Sequence, residues 1–369
     1  MTAPKDHLRR HAVRDLLHPH RVKDSMALAR QPSLRNSALA GLQAGTAAAI
    51  ALPLVWLSPW SHLLGFASLG ALVALFGRFA PERSRNRILL LCALCQVTAV
   101  LSMSLVAWLG APLPVQLALL ALFCGAFLFV GLTGGFGPPG ALIFVFAAAA
   151  SMSSSMTLGQ VFERAAATAI IALLAWAICA ATETFRHHPT EERPLPADPP
   201  LPVRHRLIMA VRAAAGAGIA VFASHALGAH HPAWAAMGAL AVLQGTHLHI
   251  NMNRALQRTV GTTVGAVLAW ALLIQDPSVW VLIAVLVALQ ILTEIVIGAN
   301  YALGQVLVTP MALLMTHLAA PQAGGPQMAP ERVLDTLLGA AVGISIAVLL
   351  STIDDRRHLA EHQAKSRNE

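Results

Sequence analysis

The chain alternates between long runs without a charged residue and short polar segments that carry most of its charge. Asp, Glu, Lys and Arg are absent from residues 36–77, 88–162, 213–253 and 295–330. A helix needs about 20 residues to cross the hydrocarbon core of a membrane, so each run has room for about two crossings or more. The pattern therefore predicts an all-α polytopic membrane protein.

Dividing the runs at their turns and prolines predicts about twelve transmembrane helices in two sets of six. The first set covers residues 37–57, 61–80, 88–109, 113–132, 138–154 and 164–182. The second set covers residues 207–228, 232–246, 257–274, 278–297, 300–319 and 332–352. A short polar turn after residue 246 places Arg254 and Arg258 at the mouth of the helix that follows.

Internal similarity indicates that the two sets are repeats. Gly70-Ala71-Leu72 with Gly77 recurs 168 positions later as Gly238-Ala239-Leu240 with Gly245, and Glu163-Arg164 recurs as Glu331-Arg332. Arg83 and Arg87 have the same spacing as Arg254 and Arg258. Because six helices return the chain to its starting side, the repeats are predicted to be parallel, with a pseudo-twofold axis along the membrane normal.

The predicted organisation has five parts. They are a basic cytosolic arm (1–36), a first six-helix repeat (37–182), a cytosolic Pro-rich linker (183–206), a second six-helix repeat (207–353) and a cytosolic tail (354–369).

Composition agrees with a membrane protein, since 56% of the residues are hydrophobic, 11% are charged and the mean hydropathy is +0.65. The net charge of +8 would suggest a nucleic-acid partner. Nearly all basic residues fall in alternate loops, however, which is the positive-inside pattern. We therefore expect the bacterial inner membrane, cytoplasmic termini and no nucleic-acid binding. On the opposite face only Arg164 and Arg332 remain.

The second half resembles the fusaric acid resistance family, which includes bacterial aromatic carboxylic acid exporters and, distantly, plant aluminium-activated malate transporters. The motifs are Pro232-Ala-Trp234, Arg254-Ala-Leu-Gln-Arg258-x-x-Gly261, Asn300-Tyr301-Ala302-Leu303, Thr309-Pro310 and Arg332-x-x-Asp335-Thr336. The resemblance is dense over residues 207–352 and degenerate over residues 37–182. Two departures are Ala233, where the family usually has an aromatic residue, and the lack of a sizeable soluble domain.

Three arginines are candidates for binding a substrate carboxylate, because a guanidinium can donate two parallel hydrogen bonds to it. Arg254 and Arg258 lie one helical turn apart, and their alternative role is positive-inside anchoring. Arg212 precedes a long charge-free run, so it either faces a buried partner or extends to the interface.

Two acids are candidates for proton coupling. Glu294 lies in an apolar helix, where a carboxylate needs a partner, such as Arg212 or Arg258, and a structural ion pair is the alternative. Asp335 follows Arg332 by three positions, so a local ion pair at the outer surface is its first explanation. The first half has Ala167 at the corresponding position.

Trp234, Asn300 and Tyr301 complete the candidate substrate site. Tyr301 is the only tyrosine of the chain. Ring faces and amide groups could line a pocket for an aromatic acid, although Trp and Tyr are also frequent at membrane interfaces.

We expect no catalytic residues, cofactor or metal. Cys92-x-x-Cys95 has metal-ligand spacing but lies in an apolar helix without a second ligand pair, and no phosphate-binding GxxxxGK[ST] motif occurs. Candidates for a protein partner are a second copy of the chain and a periplasmic adaptor subunit.

The sequence thus predicts a non-enzymatic transporter that exports aromatic or related organic carboxylic acids, driven by the proton gradient. A passive organic-anion channel and a non-transporting component of envelope assembly are the alternatives. A membrane transferase using Asp354-Asp355 is a weaker one, since no second acidic cluster accompanies that pair.

Overall fold

The computed structural model describes residues 31–188, 201–245, 248–319 and 325–350, without the side chains of residues 248 and 249. Most of the predicted arm, the centre of the linker and the tail with Asp354-Asp355 lie outside these residues. The described residues form twelve α-helices and no strand, which confirms the all-α prediction. The helices are α1 (Leu34–Trp56), α2 (Leu64–Ala71), α3 (Glu82–Trp108), α4 (Leu113–Gly134), α5 (Leu142–Ala150), α6 (Leu158–Ala181), α7 (Val203–Ala226), α8 (Ala233–Leu243), α9 (Leu248–Leu273), α10 (Val279–Ile297), α11 (Tyr301–Ala319) and α12 (Met328–Leu349).

Eight of the described helices are long and apolar enough to cross a membrane. They are α1, α3, α4, α6, α7, α10, α11 and α12. The other four differ, since α2, α5 and α8 are short, and α9 is long but carries Arg254 and Arg258. The chain is therefore a multi-pass membrane protein in which some of the predicted spans are short helices.

Two of the three short helices, α2 and α8, lie inside the bundle. Every residue of both helices is buried, and 3-10 turns at Ser61–Leu63 and Leu72–Leu75 extend α2 at each end. The longer helices around them expose large apolar side chains such as Leu54, Leu94 and Leu122, as a surface facing lipid does. An outer layer of long helices thus surrounds two short inner ones.

The halves contact each other through corresponding helices, because α4 packs against α7 and α10 packs against α1. Glycine allows close approach at both contacts. A Cβ at Gly125 would lie 2.6 Å from the Ala210 carbonyl oxygen, and a Cβ at Gly45 would lie 2.6 Å from the Ile291 side chain. Small residues at such positions let membrane helices pack backbone against backbone.

Several contacts recur with the displacement of 168 positions seen in the sequence. A Cβ at Gly70 would meet the Thr168 carbonyl oxygen at 2.7 Å, and one at Gly238 would meet the Thr336 carbonyl oxygen at 3.3 Å. These contacts join α2 to α6 and α8 to α12. The arrangement as two repeats stays a prediction, which these matching contacts support.

The ends of the predicted linker belong to the folded bundle. Glu183–Phe185 forms a 3-10 turn, and the buried Arg186 donates a hydrogen bond of 2.6 Å to the Ala80 carbonyl oxygen. The backbone N–H of His187 donates to Asn36 Oδ1 at 2.7 Å. At the other end α7 begins at Val203, and Arg206 in its first turn donates a hydrogen bond of 2.7 Å to Thr133 Oγ1 on α4, so both ends of the linker contact the bundle.

Candidate functional site

The structure brings together five of the eight predicted site residues. Trp234, Arg254, Arg258, Tyr301 and Asp335 lie on α8, α9, α11 and α12, of which α9 packs against the other three. Arg332, which was assigned to the outer face from the sequence, lies among them. Asn300 lies at their edge, whereas Arg212 and Glu294 have other surroundings.

Arg258 is buried well inside α9, not at the mouth of the helix where the sequence placed it. Its helix begins at Leu248, and only 3% of Arg258 is exposed. Nη1 donates to Tyr301 Oη and to Gln305 Oε1, both at 3.3 Å, on the neighbouring α11. One turn later, Gly261 packs against the Ala302 carbonyl oxygen, which holds α9 close to α11.

Arg332 lies in the first turns of α12 and is also 3% exposed. Its guanidinium carbon lies 5.2 Å from the centre of the Trp234 ring, at cation–π distance. It interacts electrostatically with Arg258, Asp335 and Tyr301. The assignment of Arg332 to the opposite membrane face stays a prediction, and the structure adds that its side chain points into the bundle.

The two buried arginines leave donors unused. Arg258 Nε, Arg332 Nε and Arg332 Nη1 are buried and have no hydrogen-bond partner among the described residues. Within the same part of the chain, neither guanidinium forms an ion pair with a carboxylate. Buried charges are normally paired, because an unpaired one costs several kcal/mol of solvation free energy. The arrangement is therefore suited to an anion, and we name Arg258, Arg332 and Tyr301 the arginine site.

Asp335 lies beside the arginine site and is 3% exposed. Its Oδ1 accepts a hydrogen bond of 2.6 Å from Ser224 on α7, while the buried Oδ2 has no partner among the described residues. The predicted local ion pair with Arg332 at the outer surface was wrong. Both residues are inside the bundle, and α7 supplies the partner of the carboxylate.

Arg254 and Asn300 lie at the edge of the arginine site. The half-buried Arg254 places its guanidinium carbon 5.8 Å from the centre of the Tyr301 ring. Asn300 Oδ1 accepts hydrogen bonds from the backbone N–H groups of Ala302 and Leu303, so it caps the start of α11. Asn300 thus fixes the helix end from which Tyr301 projects.

Glu294 and Arg212 lie apart from the arginine site. Glu294 on α10 forms a buried ion pair with Arg78, from the segment between α2 and α3, instead of with Arg212 or Arg258. Burial lowers the pKa of Arg78 to about 10, so the guanidinium still carries its charge at neutral pH. Arg212 donates to the Ala347 carbonyl oxygen near the far end of α12. Along α12, that position is about 22 Å from Arg332.

The first half also has buried arginines, but each of them contacts a carboxylate. Arg85 on α3 donates to Glu183 Oε2 at 2.6 Å and to Gln43 Oε1 at 2.8 Å, and Arg186 also pairs with Glu183. Burial alone would raise the pKa of Glu183, but the hydrogen bonds from Arg186 and Arg85 outweigh burial and hold the pKa below its ordinary value. Arg83 and Arg87, which the sequence matched to Arg254 and Arg258, are exposed.

The sequence contained one signal for Arg332, the recurrence of Glu163-Arg164 as Glu331-Arg332. The sequence contained no signal for Arg78 and Ser224, the partners of Glu294 and Asp335, because they come from parts of the chain that are distant in sequence. Among the described residues, no group of three or more His, Cys, Asp or Glu side chains is placed to hold a metal ion.

Comparison with known proteins locates the similarity in the half that contains the arginine site. Residues 219–346 match the family described as "Fusaric acid resistance protein-like". The chain is 34% identical over 137 residues to the uncharacterized membrane protein YvaC of Bacillus subtilis (strain 168), an alignment covering 36% of this chain and 22% of the relative. The match thus spans about a fifth of that relative's length, and no solved structure matches. The protein is therefore a multi-pass membrane protein whose residues 219–346 are similar to the fusaric acid resistance protein-like family.

Proposed function

We propose that the protein is an inner-membrane transporter that exports organic carboxylic acids, aromatic ones included, and draws on the proton gradient. The observation that carries the proposal is the arginine site, where two buried guanidinium groups keep unused donors and pair with no carboxylate among the described residues. A substrate carboxylate would supply the missing negative charge. The similarity of residues 219–346 to a fusaric acid resistance protein-like family supports an organic acid as the substrate.

Export agrees with the charge of such a substrate. A monoanion gains about 2.3 kcal/mol per 100 mV when it leaves a cell whose interior is negative. The first half, whose arginines Arg78, Arg85 and Arg186 are paired with Glu183 or Glu294, would then serve mainly as the scaffold.

The arginine site is tested by efflux of benzoate from proteoliposomes containing the full chain. Arg258→Ala and Arg332→Ala should each lower transport about 10- to 100-fold, since hydrogen bonds to charged groups contribute about 1.5–3 kcal/mol. Arg258→Lys should recover only part of the activity, because Lys lacks the planar fork. The matched control is Arg164→Ala, the position corresponding to Arg332 in the first half, which should transport normally. Unchanged transport by both Arg258→Ala and Arg332→Ala would rule the site out.

Asp335 is the acid to which we assign proton coupling. It lies beside Arg332 with one carboxylate oxygen unpartnered, whereas Glu294 is held in its ion pair with Arg78. Asp335→Asn should therefore remove the dependence of transport on a pH gradient and leave its dependence on membrane potential. Glu294→Gln should lower protein stability and keep the pH dependence. If benzoate currents through the unmodified protein do not depend on a pH gradient, the passive organic-anion channel is favoured instead.

A further inference from the structure

The ring of Trp234 is already in contact with two side chains of the protein. His231 stacks on it with a centroid distance of 4.6 Å and an interplanar angle of 11°, and Arg332 lies at cation–π distance. Trp234 is 4% exposed. Little of the ring is left for a substrate to stack on.

His231 is itself held by α12. Its backbone N–H donates to Glu331 Oε1 at 2.7 Å, and its ring Nδ1 lies 2.9 Å from Glu331 Oε2. Glu331 and Arg332 are consecutive residues of the same helix. The first turns of α12 therefore contact the Trp234 ring twice, directly through the Arg332 guanidinium and indirectly through Glu331, which holds the stacked His231 ring. The side chains of Trp234, His231, Glu331 and Arg332 thus form one connected set.

The first half contains a similar arrangement that is more exposed and has an additional hydrogen bond on its arginine. Arg164 lies 4.8 Å from the centre of the Phe66 ring, and Glu163 contacts His62 at 3.1 Å. All of these residues except His62 are displaced by 168 positions from their counterparts. Arg164 additionally donates to the Ser151 carbonyl oxygen at 3.4 Å. Arg332 has no hydrogen-bond partner for Nε or Nη1 among the described residues, so the ring contact has a larger part in fixing it.

We propose that Trp234 is a positioning residue that orients Arg332 within the arginine site and does not stack on the substrate. This inference rests on the proposed function. It implies that Trp234 and Arg332 together recognise the anionic group, so that their contribution to affinity is the same whether or not the rest of the substrate is aromatic.

Two ligands of similar size distinguish orientation from stacking. Benzoate has an aromatic ring and cyclohexanecarboxylate does not, and the affinity of each for the purified full chain in detergent can be measured by equilibrium dialysis. Trp234→Ala should weaken both by the same factor, roughly 5- to 30-fold, the range of a desolvated cation–π contact. Trp234→Phe should bind both almost normally, as Phe66 holds Arg164 in the first half. A loss confined to benzoate would overturn the proposal.

Coupling to Arg332 gives a second readout that a merely structural role would not produce. If Trp234 acts through Arg332, the double variant Trp234→Ala/Arg332→Ala should bind no more weakly than Arg332→Ala alone. A double variant whose loss of affinity equals the product of the two single losses would show that Trp234 does not act through Arg332. Trp234→Leu keeps apolar bulk without a ring, so it should fold and still show the equal loss for both ligands. Phe66→Ala is the matched control and should leave both affinities unchanged.

Failure of the proposed function has a different signature. If neither acid binds the unmodified chain, or if Arg258→Ala binds as tightly as the unmodified chain does, the arginine site is not an anion site and the inference falls with it. Normal binding that depends on Arg258 and Arg332, with a Trp234→Ala loss for benzoate alone, would overturn only the role of Trp234.

Discussion

The buried arginines of this protein fall into two groups according to their partners. Arg78 and Arg85 each contact a carboxylate, Glu294 and Glu183 respectively. Among the described residues Arg258 has only neutral partners, the Tyr301 hydroxyl and the Gln305 amide oxygen. A buried guanidinium that is paired with a carboxylate contributes to stability while the pair is intact, whereas one without a carboxylate can receive an anion. Partner type is therefore the reason why Arg258, and not Arg78 or Arg85, is a candidate for binding a substrate.

At the level of single residues, Glu183 should make stability depend on pH. Its pKa is below the ordinary value in the folded protein, so its contribution is present above the ordinary carboxyl pKa and is lost as the pH falls through the lowered folded-state pKa. Glu183→Gln should therefore lower the melting temperature at pH 7, and the difference should shrink in acid. Glu163→Gln, which removes an exposed pair with His62, should change little at any pH. Equal effects of the two variants would contradict this account.

At the level of helices, the contact of α8 with α12 depends on glycines. A Cβ at Gly339 would overlap the Ala235 carbonyl oxygen, and one at Gly238 would lie 3.2 Å from Gly339 Cα. Both helices therefore approach each other backbone to backbone. This spacing places Trp234 and Arg332 within reach of each other.

Gly339→Ala should accordingly destabilise the protein by about 1–3 kcal/mol, the usual range for an overpacked interface. It should also weaken anion binding, because α12 must move away from α8. Gly218→Ala on α7 is the matched control, since its Cβ would only reach ordinary contact with the Ala121 Cβ at 3.6 Å. Melting temperatures in detergent compare the two. A Gly339→Ala protein as stable as Gly218→Ala would show that α8 and α12 can separate freely.

The sequence predicted all twelve helices but began five of them four or more residues late, each near an arginine. The prediction starts α3 at Ile88, α6 at Arg164, α7 at Leu207, α9 at Gln257 and α12 at Arg332, whereas these helices begin at Glu82, Leu158, Val203, Leu248 and Met328. Hydropathy cannot separate an arginine at a membrane surface from one inside a bundle, because it ignores what the side chain contacts. For the same reason the sequence did not predict that Arg332 is buried. It also did not predict the partners of Glu294 and Asp335, which come from distant parts of the chain.

For the whole molecule, the halves are joined mainly by two helix contacts, α4 with α7 and α10 with α1, and also where α11 packs on α2 and where α8 packs on α4 and α5. Neither half can therefore bury its own first or fourth helix fully. The apolar core is correspondingly shared, since one cluster of buried side chains includes residues from both halves.

Two half-proteins made by cutting the chain between residues 189 and 200 should therefore associate when they are produced together. A tag on the first half should copurify the second in detergent. Gly125→Leu should weaken the association, because a side chain there would collide with the Ala210 carbonyl oxygen on α7. Gly159→Leu, at an exposed position of α6 where a Cβ would meet only Thr157 Oγ1 at 3.9 Å, tests for a general effect of substitution. Two halves that purify separately would show that the contacts between them are weak.

The polar character of α9 bears on how the protein enters its membrane. A translocon releases helices sideways into lipid according to their apolarity, and an arginine near the centre of a lone helix costs about 2.5–3.5 kcal/mol. Arg254 and Arg258 are therefore poorly tolerated until Tyr301 and Gln305 on α11 have been synthesised. We expect α9 to stay beside the translocon and to join the bilayer together with α11, so that insertion of the second half is coupled to assembly of the arginine site.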